Sequence, residues 1–326
     1  MCHYVAGSDY PRPPITLPTK TQGMAKLPTS DTTLSVDDAI LHFYCSDSIE
    51  LMKRLEPGTI DVIVTSPPYN LGINYRTYND KQPRESYLAW TNSWLSLAAR
   101  ALHPKGSMFL NVGAKPSDPW IAMDVAQTAR QHFHLQNVIH WIKSIAIDRS
   151  STGSSSGLTR DLALGHYKPI NSDRFLNDCH ELILHLTPSC RTPLERRAIG
   201  VPYQDPSNIG RWKNSTGGLR CRGNTWFIPY ETIQNRNRER PHPATFPPRL
   251  PEYCLRLHGL SRINLALDPF LGLGNTAIAC AQLGISCIGI DLDPEYLNEA
   301  VTRVKASLRS LPSDEKRSRV KTKATA

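Results

Sequence analysis

The run Ile263-Asn264-Leu265-Ala266-Leu267-Asp268-Pro269-Phe270-Leu271-Gly272-Leu273-Gly274-Asn275-Thr276 starts as an apolar strand and breaks at Pro269. It re-forms as a helix from Asn275 to Leu283. A second apolar strand, 285–290, follows, ends in Asp291-Leu292-Asp293, and leads into a helix over 294–308. Short β-branched runs alternating with helical periodicity predict an α/β fold with a mostly parallel sheet. The pattern extends upstream. A helix is expected near 249–259 and strands at 60–64, 107–112, 137–142 and 181–186. Helices are expected over 86–101, with Ser86 offering a cap, and over 119–132.

Gly272 and Gly274 let the chain turn tightly and pass close to a ligand. The turn is similar to a nucleotide-binding βα turn, although the third glycine of the dinucleotide fingerprint is missing. Asp291 follows Asp268 by 23 positions, close to the roughly 20 expected for an acid that receives ribose hydroxyls at the tip of the second strand. Asp268 ahead of Pro269 suits an amino group, such as the methionyl amine of S-adenosylmethionine, better than a pyrophosphate.

Val64-Thr65-Ser66-Pro67-Pro68-Tyr69-Asn70 lies at the C-terminal end of the 60–64 strand. Ligands of open α/β sheets bind at that edge. The two prolines stiffen the backbone and remove two N–H donors, so carbonyls and the Ser66 hydroxyl face outward as acceptors. Tyr69 adds a flat aromatic face. An acceptor-rich loop beside an aromatic ring suits the exocyclic amino group of a flipped nucleobase.

This segment closely resembles the catalytic motif of amino-group DNA methyltransferases, written Asp/Asn/Ser-Pro-Pro-Tyr/Phe. The Thr-Ser form looks like the N4-cytosine members. The catalytic motif comes first, a basic insertion second and the glycine turn last, an order that resembles the beta class. Tyr44-Cys45-Ser46-Asp47-Ser48 looks like the family's segment ahead of the catalytic strand, and Leu102 to Ser107 like the turn after the following helix. Arg240 to Pro247 is similar to the stretch before the cofactor strand, with Ala244 and Phe246 departing from the pattern. The resemblance implies a Rossmann-like, circularly permuted methyltransferase fold with helices on both faces of the sheet. It implies catalysis by Ser66, Pro67, Pro68, Tyr69 and Asn70. S-adenosylmethionine would be held by Asp268, Pro269, Phe270, Gly272, Gly274, Asn275, Thr276, Asp291, Asp47 and Thr245. The substrate would be double-stranded DNA, with a restriction endonuclease sharing the site and the enzyme acting as a monomer or homodimer. N6-adenine methylation on the same fold is the alternative, and a non-catalytic nucleic-acid binder the more remote one. No Pro-Cys dipeptide occurs, so the nucleophile of cytosine-carbon methyltransferases is absent.

The chain has 326 residues and a net charge of +9. Residues 143–240 carry +6 of it and 309–326 carry +4. The central segment interleaves Arg160, Arg191, Arg196, Arg197, Arg211, Arg220 and Arg222 with Tyr203, Trp212 and Trp226. Arginine suits paired hydrogen bonds to guanine and phosphate, so these residues are the expected DNA contacts. The expected organisation is a disordered lead-in (1–33), a catalytic half (34–144), a target-recognition insertion (145–235) whose strand near 178–186 returns to the sheet, a cofactor half (236–308) and a basic tail (309–326). No apolar run is long enough to span a membrane, and no signal-peptide core is seen, so a cytoplasmic protein is expected. The 8 cysteines form no C-x-x-C pair. Cys179, His180, His185 and Cys190 lack zinc spacing, so no metal is expected.

Overall fold

A computed structural model describes residues 27–153, 156–165, 171–211, 218–229 and 245–309. The lead-in through residue 26, residues 230–244 with the first part of the Arg240 to Pro247 stretch, and the tail beyond 309 therefore lie outside the described residues.

The chain opens with the hairpin of β1 (Thr32–Val36) and β2 (Ala39–Cys45), then α1 (Ser48–Lys53) and β3 (Ile60–Thr65). Next come α2 (Arg84–Ala101), β4 (Leu102–Val112), α3 (Trp120–Ala129) and β5 (His134–Ile142). The middle of the chain supplies β6 (Ser144–Ile147), β7 (Leu162–Gly165), β8 (His180–Thr187), β9 (Val201–Pro202), β10 (Leu219–Arg220) and β11 (Thr225–Phe227). It closes with α4 (Arg249–His258), β12 (Leu265–Asp268), α5 (Asn275–Leu283), β13 (Ser286–Asp291) and α6 (Pro294–Arg309).

Nine strands form one sheet in the order β1-β2-β13-β12-β3-β4-β8-β5-β11. All neighbours are parallel except β1 with β2 and β8 with both β4 and β5. Period-two alternation divides the strands' side chains between two cores. Val62, Val64 and Ala266 join α4, α5 and α6 on one face. Ile63, Leu267 and Ile288 join α1, α2 and α3 on the other. Helix ends follow local chemistry. Asp47 caps α1 by accepting the Ile49 and Glu50 N–H groups, and Asp293 caps α6 ahead of Pro294. Gly274 and Gly284 bracket α5 in left-handed conformations.

Three expectations are corrected. Thr32 and Thr33 are strand residues, so the ordered fold begins before residue 34. Ser86 is no cap: α2 starts at Arg84 behind Pro83, whose fixed φ serves a first turn without a capping side chain. The central segment returns two strands to the sheet, the anticipated β8 and also β11, which pairs with β5. Of the rest of it, the two-stranded ribbons β6–β7 and β9–β10 stand apart from the sheet.

β12 and β3 are neighbours, but their chains leave in opposite directions, one through α5 to β13 and the other through α2 to β4. That divergence opens a crevice at their C-terminal ends, where the two motif segments meet.

Candidate active site

Ser66 to Asn70 leaves the tip of β3 under tight local control. Thr65 Oγ1 donates to Asp268 Oδ1 at 2.7 Å, which ties the tips of β3 and β12 together. The fully buried Tyr87 donates to the Pro68 carbonyl at 2.9 Å. Asn70 adopts φ 59°, a left-handed conformation that asparagine tolerates. Its amide pairs with the backbone of Gln82, accepting from N at 2.7 Å and donating to O at 2.8 Å. Buried Asp80 accepts the N–H groups of Asn70, Leu71 and Ile73 at 2.8, 3.1 and 2.9 Å. Burial raises the Asp80 pKa against these bonds. Residues 70–82 are thus a built loop closed on itself, and Arg76 ties it to Asp293 and Glu295 at the head of α6.

A polar cluster backs Ser66. Ser66 Oγ is 2.5 Å from the Tyr69 hydroxyl. Asn111 Nδ2, at the end of β4, donates to the Tyr69 hydroxyl at 2.7 Å and to Glu181 Oε2 at 2.6 Å. The Tyr69 hydroxyl donates to Glu181 Oε2 at 3.2 Å, and Lys143 Nζ donates to Glu181 Oε1 at 3.1 Å. Gly113 makes room for the ring: a Cβ there would lie 2.8 Å from Tyr69 Cε2.

The glycine turn after β12 and the tip of β13 face this cluster. Asp291 accepts the Gly272 N–H at 2.7 Å and the Asp293 N–H at 2.9 Å, which shapes the turn and fixes the carboxylate. Burial raises the Asp291 pKa. Phe270 packs against Trp90 and Trp94 with ring centroids 5.4 and 5.2 Å away. Ser48 donates to the Pro269 carbonyl. One open cavity of about 230 Å³ is lined by Ser66, Pro67, Pro68, Tyr69 and Glu181 together with Pro269, Phe270, Gly272, Asn275 and Asp291. Asp47 and Thr245 line it too, as do Tyr75, Tyr78 and Trp90.

Asp268, Gly274 and Thr276 were expected to hold the ligand and are not among its lining residues. Asp268 is 1% exposed. It binds Thr65 and the Phe270 N–H, and burial pushes its pKa up to about 6. It is a floor residue that joins the two strand tips. Gly274 lets α5 approach α6, since a Cβ would lie 2.8 Å from that of Ala300. The fully buried Thr276 hydroxyl reaches the Val64 carbonyl at 3.4 Å. Asn70 is also absent from the lining and acts through the loop it closes.

Arg160, Arg191, Arg196, Arg197 and Arg220 are exposed. Arg222 differs: its Nε donates to the Ile199 carbonyl at 2.9 Å and its guanidinium lies 4.9 Å above the Tyr253 ring, so it braces the fold. The Arg211 side chain and Trp212 lie outside the described residues.

Asn111, Glu181 and Lys143 were not singled out from the sequence. The available signal was a polar residue interrupting an apolar strand, as Asn111 does within Phe109-Leu110-Asn111-Val112.

Comparison with known proteins agrees with this geometry. An N6/N4 methyltransferase family model, described as DNA methylase, matches residues 60–302. The type II methyltransferase M.HpaI of Haemophilus parainfluenzae is 29% identical over 273 residues, covering 84% of this chain and 77% of its own. PvuII DNA methyltransferase (cytosine-N4-specific) superposes with a TM-score of 0.55 at 17% identity, covering 85% of this chain and 89% of its own. A DNA modification methylase of Thermus thermophilus, complexed with S-adenosyl-L-methionine, superposes with a TM-score of 0.51 at 22% identity, covering 83% of this chain and 96% of its own.

Proposed function

The chain belongs to the N6/N4 DNA methylase family, and from that premise we propose that it transfers a methyl group from S-adenosylmethionine to the N4 amino group of a cytosine flipped out of duplex DNA. The observation that carries the reading is a cavity lined by both Ser66 to Tyr69 and the Pro269 to Gly272 turn with Asp291.

The donor set fits S-adenosylmethionine. Each Asp291 oxygen accepts one backbone N–H, so each keeps a lone pair for a ribose hydroxyl. Phe270, Leu292 and Tyr296 give an apolar lining, and Tyr75, Tyr78 and Trp90 offer aromatic faces suited to a cation. When bound, S-adenosylmethionine supplies an electrophilic methyl on a sulfonium.

The protein's task is to hold and polarise the amino group. Its nitrogen lone pair is delocalised into the base ring. Accepting the amino protons at Ser66 Oγ and the Pro67 carbonyl favours a pyramidal nitrogen with that lone pair free. Tyr69 is the ring on which the flipped base stacks. Proline rigidity and the Asp80-centred loop hold these acceptors in place before substrate arrives. Serine, rather than aspartate, as the first motif residue supports cytosine. In this reading residues 145–235 read the DNA sequence, with Arg160, Arg191, Arg196, Arg197 and Arg220 as contacts, and the 309–326 tail adds phosphate attraction. A restriction endonuclease sharing the site, a monomeric or homodimeric state and a cytoplasmic location belong to the same proposal. No helix among the described residues is long and apolar enough to cross a membrane.

The test is transfer of tritiated methyl groups from S-adenosylmethionine to duplex DNA. Wild-type protein is expected to label the duplex. Ser66→Ala is expected to lower turnover by about a hundredfold while binding S-adenosylmethionine normally. Duplex DNA left unlabelled by the wild-type protein would sink the proposal.

A further inference from the structure

We propose that Glu181 is a positioning residue and the terminal proton acceptor of the active site, acting on Ser66 through Tyr69; the proposal rests on the methyltransferase reading above. The hydrogen bonds run in one direction. A carboxylate only accepts, so the Tyr69 hydroxyl, 3.2 Å from Glu181 Oε2, gives its proton to that oxygen. Tyr69 then has only lone pairs left for its 2.5 Å contact with Ser66, so Ser66 donates to Tyr69. Asn111 Nδ2 also donates to the Tyr69 oxygen, at 2.7 Å, consistent with that oxygen accepting. The Ser66 oxygen accepts only a long contact, 3.4 Å, from Asn111 Nδ2 and keeps a lone pair for a substrate amino proton. A serine hydroxyl can donate or accept; this chain makes Ser66 an acceptor, which an amino-group substrate requires.

The position of Glu181 is held on both sides. Its Oε1 accepts from Lys143 at 3.1 Å and its Oε2 from Asn111 at 2.6 Å. Its side chain is 13% exposed and lines the cavity, which leaves a route for a proton to solvent.

The same chain drains the reaction. As the carbon–sulfur bond of the sulfonium breaks, its electron pair stays on sulfur and the amino lone pair forms the carbon–nitrogen bond. The nitrogen is then one proton in excess. That proton passes to Ser66 Oγ, the serine proton to the Tyr69 oxygen and the tyrosine proton to Glu181 Oε2. The products are the methylated neutral base and a carboxylic acid, which returns its proton to water.

The test is Glu181→Gln, which keeps size and one carbonyl acceptor but cannot take up the proton. We expect kcat for duplex methylation to fall by about a hundredfold, with the Kd values for DNA and S-adenosylmethionine within about twofold and the Tm unchanged. Tyr69→Phe interrupts the same chain, so adding it to Glu181→Gln is expected to cost little beyond either single change. A Glu181→Gln kcat within about threefold of wild type would overturn the relay, because a role in packing tolerates the isostere. Losses that multiply in the double variant would overturn it as well. Wild-type protein that leaves DNA unmethylated would instead overturn the methyltransferase reading, and the relay with it.

Discussion

Gly113 shows how closely the residues around Ser66 are fitted. Its missing side chain is where the Tyr69 ring sits, and an added Cβ would also fall 3.2 Å from Glu181 Cδ. Gly113→Ala forces the ring to shift, since the added Cβ would lie 2.8 Å from Tyr69 Cε2. We expect about a tenfold loss of kcat from a small shift of aligned groups, with S-adenosylmethionine binding unchanged; kinetics and calorimetry on the purified variant check it, and a wild-type kcat would contradict it. At this scale the sequence is legible where a site is contiguous. Ser66 to Tyr69 and Pro269 to Gly272 stand as short motifs, and the cavity unites them. Asn111 and Glu181 lie 70 positions apart and meet only because β4 and β8 pair with Val112 opposite Leu182. No local pattern carries that register. Asp268 shows both sides of this: its Oδ1 serves the joint between strands, while its buried Oδ2 has no hydrogen-bond partner among the described residues.

Between elements, β4, β8 and α4 are joined by a buried neutral polar chain. The Ser107 hydroxyl lies 2.9 Å from both His185 Nε2 and His258 Nδ1. Asn137 Nδ2 holds His185 Nδ1 at 2.9 Å, and Phe109 stacks on the His185 ring. Burial, with the neighbouring ring, lowers the His185 pKa from 6.5 to about 3. Burial, with the Arg262 charge, lowers His258 from 6.5 to about 4. Unfolding frees both rings to take up protons below their ordinary pKa, whereas the folded state resists until near pH 4. Stability is therefore level above neutrality and falls as pH drops from 6.5 towards 4, by about 1.4 kcal/mol per ring per pH unit. Urea midpoints measured at about pH 7.5 and about pH 5.5, on either side of the ordinary histidine pKa, are expected to show this fall, and His258→Gln to lessen it. An unaltered pH dependence in that variant would contradict the assignment. The β and α periodicities marked most elements in advance. The β1–β2 hairpin, the short α1, the ribbon strands β6, β7, β9 and β10, and the three-residue β11 escaped, the last because it owes its place to pairing with β5 rather than to its own pattern.

For the whole molecule, motif order and charge distribution were the readable quantities. The early Ser66 to Asn70 segment and the late glycine turn are far apart in the chain but stand on adjacent parallel strands, β3 and β12. The excess charge lies mainly in residues 143–240, where exposed arginines surround irregular ribbons. The DNA sequence that the proposed function would have this segment read was not legible, because base recognition depends on surface geometry that no hydrophobic period encodes. The central claim concerns which nitrogen receives the methyl group at Ser66. It is tested most directly by methylating duplex DNA with the wild-type protein, digesting it and identifying the modified nucleoside by mass spectrometry. The account predicts N4-methylcytosine; N6-methyladenine, or DNA with no modified nucleoside, would contradict it.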